Sequence, residues 1–397
     1  MIKFTIQAEM DNTRARAGII ETPHGKIETP AFIPVATKAT IKSLTPEQVR
    51  SLNADAILAN TYHLYLQPGT EVIKKAGGLG KFMNWSGPTF TDSGGFQAFS
   101  LGDAWGKNIG KIVDGEEVSV NLISDEKIGR MAKVDDDGVT FKSIIDGSIH
   151  RLTPETSIEI QQDIGADIIF AFDECISPHE SYERQKKAVE RTKLWAERCL
   201  MFHKRKGVVA ESDALPALFG IIQGGRYEDL RLESARAIGA MDFEGFGIGG
   251  SFDKEDIGKV VGLVCDKLPK NKPRHLLGIG SEPADLIFGI ENGIDTFDCV
   301  APTRIARNGT AYTINGRINL LNAKFTSDFT AIDLRCNCYT CQNYTKAYVA
   351  HLFRAKEMLA ATLTSIHNLF FLVNLVKDAR TAIVEGKFEM YKERFKI

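Results

Sequence analysis

Three carboxylates and one carboxamide stand where short apolar runs end in this 397-residue chain. Thr89-Phe90-Thr91 leads into Asp92-Ser93-Gly94-Gly95, and Ile168-Ile169-Phe170-Ala171-Phe172 into Asp173-Glu174-Cys175. Leu218-Phe219-Gly220-Ile221-Ile222 leads into Gln223-Gly224-Gly225, Phe246-Gly247-Ile248 into Gly249-Gly250, and Thr296-Phe297 into Asp298-Cys299. One Asp in such a place commonly does no more than cap the next helix. Asp92, Asp173 and Asp298 together, with Gln223 and three glycine pairs, point to a site. Adjacent glycines let backbone come close to a ligand and leave N–H groups to bind it. Such a set suits a purine-like heterocycle, whose amino and ring N–H groups need acceptors and whose carbonyl needs donors. Two of the carboxylates can divide nucleophile and acid/base roles at a glycosidic carbon.

A second group of residues is metal chemistry. Cys336-Asn337-Cys338-Tyr339-Thr340-Cys341 is a CxCxxC motif. Three thiolates and one imidazole make a closed tetrahedral zinc site, structural because no ligand position stays open. His351 and His367 both lie downstream, and the spacing alone leaves the choice between them open. Seven cysteines, an odd number, with no apolar signal segment after Met1, argue against a disulfide framework. Cys175 and Cys299 fall at the same strand ends as the acids, where each could equally be a small buried hydrophobe.

Elements that could position these residues follow from the apolar pattern. Runs at 31–35, 56–60, 88–92, 167–173, 217–223, 245–250, 275–280 and 294–299 are short and nearly continuous, as parallel strands covered on both faces are. Helix starts lie between them: Thr45-Pro46 and Thr153-Pro154 place a capping Thr before Pro, and Ser281-Glu282-Pro283 does similar work. Eight such runs predict a (β/α)8 barrel, with reactive groups at the C-terminal ends of the strands. A doubly wound sheet is the alternative, disfavoured because no glycine-rich dinucleotide fingerprint follows the first run. The barrel is expected over 1–310, with an inserted polar segment at about 102–133 that shows some alternation at 117–122. Residues 311–397 are expected to form a zinc-binding segment, with β-like pieces at 310–314 and 317–319 and helices at 344–361 and 365–385, packed on the barrel.

Composition sets outer limits. An apolar share of 43% with 25% charged residues is ordinary globular usage, so a sizeable core needs no staples. No apolar run approaches the roughly 20 residues of a membrane span, and a cytoplasmic location is expected. The net charge of −2 is uneven: the segment from Ala301 carries 14 basic and 7 acidic residues, so it is positive while the rest is negative. That asymmetry fits a polyanionic partner as well as a solvated surface.

Several motifs then coincide with one family. Thr91-Asp92-Ser93-Gly94-Gly95-Phe96-Gln97, Phe172-Asp173-Glu174-Cys175, Gly220-Ile221-Ile222-Gln223-Gly224-Gly225, Phe297-Asp298-Cys299-Val300, Pro302-Thr303-Arg304, the CxCxxC motif and Thr364-Ser365-Ile366-His367-Asn368 resemble, in order, the tRNA-guanine transglycosylases of bacterial type. The resemblance runs from Arg16 to about Phe371 and implies a zinc-containing barrel that exchanges guanine at the wobble position of GUN anticodons for a 7-deazaguanine, in queuosine biosynthesis. It implies Asp298 as the nucleophile on the ribose and Asp92 as the general acid/base. Asp173, Gln223 and Gly250 would bind the base, and Phe96 and Leu277 would sandwich it. Arg304 and Arg307 would contact tRNA. Cys336, Cys338, Cys341 and His367 would hold one structural zinc per chain, which decides against His351. A homodimer is implied as well. Two departures stand out: the segment at 102–133, and Ser251-Phe252-Asp253 after Gly250, where bacterial members carry a Leu-Ala-Val-like run. Rival readings are a queuine-salvaging member, a non-catalytic tRNA-binding partner subunit and a related enzyme acting on DNA. Retention of both Asp92 and Asp298 argues against the second, and the tRNA-type zinc segment against the third.

Overall fold

The computed structural model describes residues 2–100, 112–113, 132–209, 215–250 and 252–395. Eight parallel strands form one sheet: Ala31–Pro34, Ile57–Ala59, Thr89–Thr91, Ile168–Phe170, Ala217–Ile222, Gly245–Ile248, Arg274–Leu276 and Thr296–Cys299. The eighth pairs with the first, Thr296 opposite Ala31 and Cys299 opposite Pro34, and a Val35–Leu58 bridge joins the first to the second. The sheet therefore closes on itself as a (β/α)8 barrel. Seven of the eight runs seen in the sequence hold one strand each, and the strand Arg274–Leu276 begins one residue before the run at 275–280.

Aromatic rings fill the interior. Phe90, Phe170 and Phe219 pack there with Ile33, Leu58 and Ile221. The sixth strand makes room for two of the rings: a Cβ on Gly245 would lie 2.4 Å from the Phe219 ring, and one on Gly247 2.9 Å from Phe170. Helices cover the outside. Thr45 caps Pro46–Arg50 in a capping box with Gln48, and Thr153 caps Pro154–Ile164. Glu282 precedes Pro283–Glu291, and its N–H donates to the Asp285 carboxylate at 3.1 Å.

Two features depart from the sequence reading, the N-terminal sheet and the C-terminal helix break, and a third, the segment at 102–133, is described only in part. An antiparallel sheet of Lys3–Glu9, Arg16–Thr22 and Gly25–Thr29 precedes the barrel, and its Ile20 and Ile27 join the barrel's interior cluster. Arg16 of this sheet makes a buried two-point ion pair with Asp295, at 2.6 and 2.9 Å. Much of the segment at 102–133 lies outside the described residues, including the alternation at 117–122. Its Ile112–Val113 pairs in parallel with Phe252–Asp253, and Ala132–Val134 pairs with Val139–Lys142, which in turn pairs with Ile149–Leu152.

The C-terminal helices break elsewhere than expected. They are Tyr339–Asn343, Lys346–Arg354, Met358–Val384 and the short Phe388–Lys392. The break falls at Lys356, whose φ of 58° leaves the helical region, and 362–364 lies inside a helix. The expected β-like pieces form the hairpin Thr310–Thr313 with Gly316–Asn319. Met358–Val384 is apolar and long enough to cross a membrane, but 67% of its apolar window is buried. It packs on the first barrel strand, on Ala301–Arg307 and on the N-terminal sheet, and Leu369, Leu372, Val373 and Val376 share the main core.

Candidate active site

The third strand delivers Asp92 into a turn before the helix Gly95–Ser100. Its Oδ1 accepts the Thr61 N–H at 2.9 Å and the Gly94 N–H at 3.2 Å, and its Oδ2 accepts the side-chain amide of Asn60. Asn60 is itself held, because its Oδ1 caps the helix Thr61–Leu66 by accepting the His63 N–H at 3.0 Å. The carboxylate is thus fixed from two neighbouring strand ends.

Asp173, beyond the fourth strand, accepts Ser93 Oγ–H on one oxygen at 2.9 Å and the Gln223 amide on the other at 2.7 Å. This ties together the ends of strands three, four and five. Gly250, beyond the sixth strand, has φ 93°, and a Cβ there would lie 2.7 Å from a guanidinium nitrogen of Arg231. Arg231 is fully buried and donates to the carbonyls of Gly225 and Gly249 at 2.8 and 2.5 Å, binding the two glycine turns to each other. Burial pushes its guanidinium down to about 10.

Asp298 closes the ring from the eighth strand. Its Oδ1 accepts the Gly278 N–H at 2.7 Å and faces His275 Nε2 at 3.1 Å. Asp92, Asp173, Gln223, Gly250 and Asp298 all line one cavity of about 520 Å³, together with Phe96, Leu277, Arg304 and Arg307. Cys175 and Cys299 line it too. Glu174 does not: its side chain is buried in ion pairs with Arg184 and Arg191 of the helix Tyr182–Val209, at 2.5 and 2.6 Å. A second cavity, about 670 Å³, lies where Met358–Val384 meets the cysteine segment, and holds none of the strand-end acids.

One side of the mouth is cationic. Lys42, Arg304 and Arg307 line the cavity there, with the His63 ring among them. Burial lowers the pKa of Lys42, and repulsion from Arg307, Arg304 and Lys38 lowers it further. Burial and then Lys38 and Lys42 lower that of His63, and burial and then Arg304 lower that of Arg307. A cluster in which cations depress one another is a place where an anion is stabilised.

The sulfurs of Cys336, Cys338 and Cys341 and a nitrogen of His367 lie within 4.8 Å of one another. Sulfur-to-Nδ1 distances are 3.6, 3.5 and 3.2 Å. Metal–sulfur bonds of about 2.3 Å and metal–nitrogen bonds of about 2.0 Å at a tetrahedral angle give an edge of roughly 3.5 Å, so the four groups fit one such ion. His367 Nε2 lies 2.7 Å from the Tyr312 carbonyl, which fixes the ring and turns Nδ1 toward the sulfurs. Burial lowers the pKa of His367, but Cys338 and Cys341 more than reverse this and raise it to about 10. His351 is exposed on Lys346–Arg354, outside the cluster.

Sequence reasoning missed Asn60, Thr61, Gly278 and His275, the second layer behind the two acids. Asn60 before an apolar helix start carried a capping signal, and His275 was the polar residue opening an apolar run.

A barrel whose strand ends converge on one cavity, with a Cys3His cluster beside it that could hold a metal ion, defines the class of (β/α)8 enzymes. The family model described as queuine tRNA-ribosyltransferase matches residues 11–396. A queuine tRNA-ribosyltransferase of Moorella thermoacetica is 47% identical over 391 residues, covering 98% of this chain and 95% of that protein. Those of Thermoanaerobacter pseudethanolicus and Macrococcus caseolyticus are 47% and 48% identical, covering 99% and 96% of this chain and 96% and 92% of their own lengths. The chain belongs to the queuine tRNA-ribosyltransferase family and is a glycosyl-transferring enzyme.

Proposed function

We propose that this protein exchanges guanine at the wobble position of tRNAs with GUN anticodons for a 7-deazaguanine, through a covalent bond between Asp298 and the ribose. A carboxylate oxygen of Asp298 attacks C1′; the C1′–N9 bond breaks and its electron pair leaves with guanine, which takes up a proton. The incoming base loses its N9 proton, N9 attacks C1′, and the bond to Asp298 breaks with its pair returning to the carboxylate. Asp92 moves both protons, so the cycle ends as it began. Asp173, Gln223 and Gly250 bind the base edge, Phe96 and Leu277 its faces, and Arg304 and Arg307 the tRNA phosphates.

The observation that carries this reading is that Asp92 and Asp298, each held by at least two hydrogen bonds, line a single cavity with the joined Asp173–Gln223 pair. Incubation with labelled guanine and unmodified tRNA tests it: incorporation at the wobble position is expected, and none overturns it. One zinc ion per chain, held by Cys336, Cys338, Cys341 and His367, supplies folding free energy and no step of the reaction. A homodimer is supported by apolar groups on the cysteine segment, where Phe329 and Leu334 are 77% and 81% exposed, Tyr339 meets Tyr344 edge-on and Tyr344 stacks on Tyr348; sedimentation tests it. The location proposed is the cytoplasm.

The base taken is proposed to be 7-aminomethyl-7-deazaguanine. Asp253 follows Gly250 closely, and an acid within ~4–6 Å favours a cationic amine. Its position directly before Lys254–Cys265 also suits a helix cap. Competition between the aminomethyl base and queuine, in wild type and Asp253→Ala, decides. Equal or better use of queuine by the wild type contradicts the preference. An unchanged ratio in the variant leaves Asp253 as a cap.

A further inference from the structure

We propose that His275 is a positioning residue for Asp298, acting through its Nε2–H, and that Thr296 sets the tautomer this requires. The proposal rests on Asp298 being the nucleophile.

His275 lies on the seventh strand, fully buried inside the barrel. Its ring stacks on Phe90 with centroids 5.7 Å apart and lies 5.3 Å from that of Phe170. Strand pairing puts His275 opposite Thr296 on the eighth strand. Thr296 and Asp298 are two residues apart on that strand and share its inner face. The ladder therefore builds a Thr–His–Asp line, with Nδ1 2.9 Å from Thr296 Oγ1 and Nε2 3.1 Å from Asp298 Oδ1.

A neutral imidazole carries one donor and one acceptor. A bare Nε2 facing a carboxylate oxygen at 3.1 Å would set two acceptors against each other in a buried site, where unmade hydrogen bonds are costly. With the proton on Nε2, His275 donates to Asp298 while Nδ1 accepts Thr296 Oγ–H, and both contacts are made. Asp298 Oδ1 then receives two donors, His275 and the Gly278 N–H. Rotating the carboxylate would break both, so the plane of the group and the direction of its other oxygen are set. The packed rings prevent His275 from turning away. The same donor stabilises the carboxylate when it leaves C1′ in the second displacement.

His275→Phe keeps the ring and removes the donor; His275→Gln keeps an N–H near the Nε2 position. Loss of a hydrogen bond to a charged group is expected to lower kcat about 10- to 100-fold in His275→Phe, with KM for tRNA changed less than about twofold. His275→Gln should recover most of the loss. Both should keep their zinc and unfold near the wild-type temperature. In wild-type protein labelled with 15N-histidine, the His275 ring should carry its proton on Nε2. Wild-type kcat in His275→Phe, a folded His275→Gln as slow as His275→Phe, or a ring protonated on Nδ1 alone overturns the proposal. Mapping the trapped tRNA adduct separates the two readings. An adduct on another residue removes Asp298 as nucleophile, whereas an adduct on Asp298 with kcat unaffected in His275→Phe removes only the role of His275.

Discussion

At the scale of single residues, Asp92 and Asp298 differ in what holds them. Asp92 takes donors from Asn60, Thr61 and Gly94, around the ends of strands two and three. Asp298 is tied to strand seven and the glycine after it. The proposed roles predict different losses. Asp298→Ala is expected to bind tRNA and lose exchange entirely. Asp92→Ala should lose about 10²- to 10⁴-fold in exchange, the usual worth of a positioned acid/base, while filter binding shows tRNA affinity retained. The acids were legible because short parallel strands end abruptly, so polar residues after apolar runs face the mouth. Their supports were not. A buried histidine in an apolar run reads as core, and only the strand register shows that His275 stands opposite Thr296, beside Asp298.

At the scale of elements, sequence fixes the strands better than the pieces around them. Short, nearly continuous apolar runs such as 167–173 and 217–223 have few other uses in a covered sheet. The N-terminal sheet was missed because it shows only alternation, with one face open. The helix break at Lys356 was missed because it lacks the usual glycine. The Arg16–Asp295 pair fastens that sheet to the barrel with both side chains almost fully buried. Asp295→Ala would leave the guanidinium buried and unpaired, so stability measured in denaturant should fall by about 3–5 kcal/mol. The cysteine segment gives a second test. Metal analysis of His367→Ala should find zinc lost and the unfolding temperature lowered, whereas His351→Ala should keep both, since structural zinc is folding free energy. Less than half an equivalent of zinc in fresh wild-type protein counts against the assignment.

At the scale of the whole molecule, a chain of net charge −2 must meet a polyanion through a local field. The rim of Lys42, Arg304 and Arg307 supplies it at the cavity mouth. tRNA affinity should fall with salt, with a log–log slope of about −0.7 to −0.9 per phosphate neutralised. Arg304→Ala with Arg307→Ala should weaken binding and flatten that slope by about one per contact removed. An unchanged slope places the RNA surface elsewhere. The charge asymmetry was visible in composition, but its focus at the mouth needed the fold, because Lys42 is far from the arginines in sequence. In the proposed exchange Asp298 carries the ribose, and trapping the covalent adduct tests this. Wild-type protein is mixed with tRNA and a base analogue that cannot complete exchange, then denatured, digested and mapped by mass spectrometry. A denaturant-stable RNA adduct on Asp298, absent from Asp298→Ala, is expected; an equal adduct from Asp298→Ala removes Asp298 as the nucleophile.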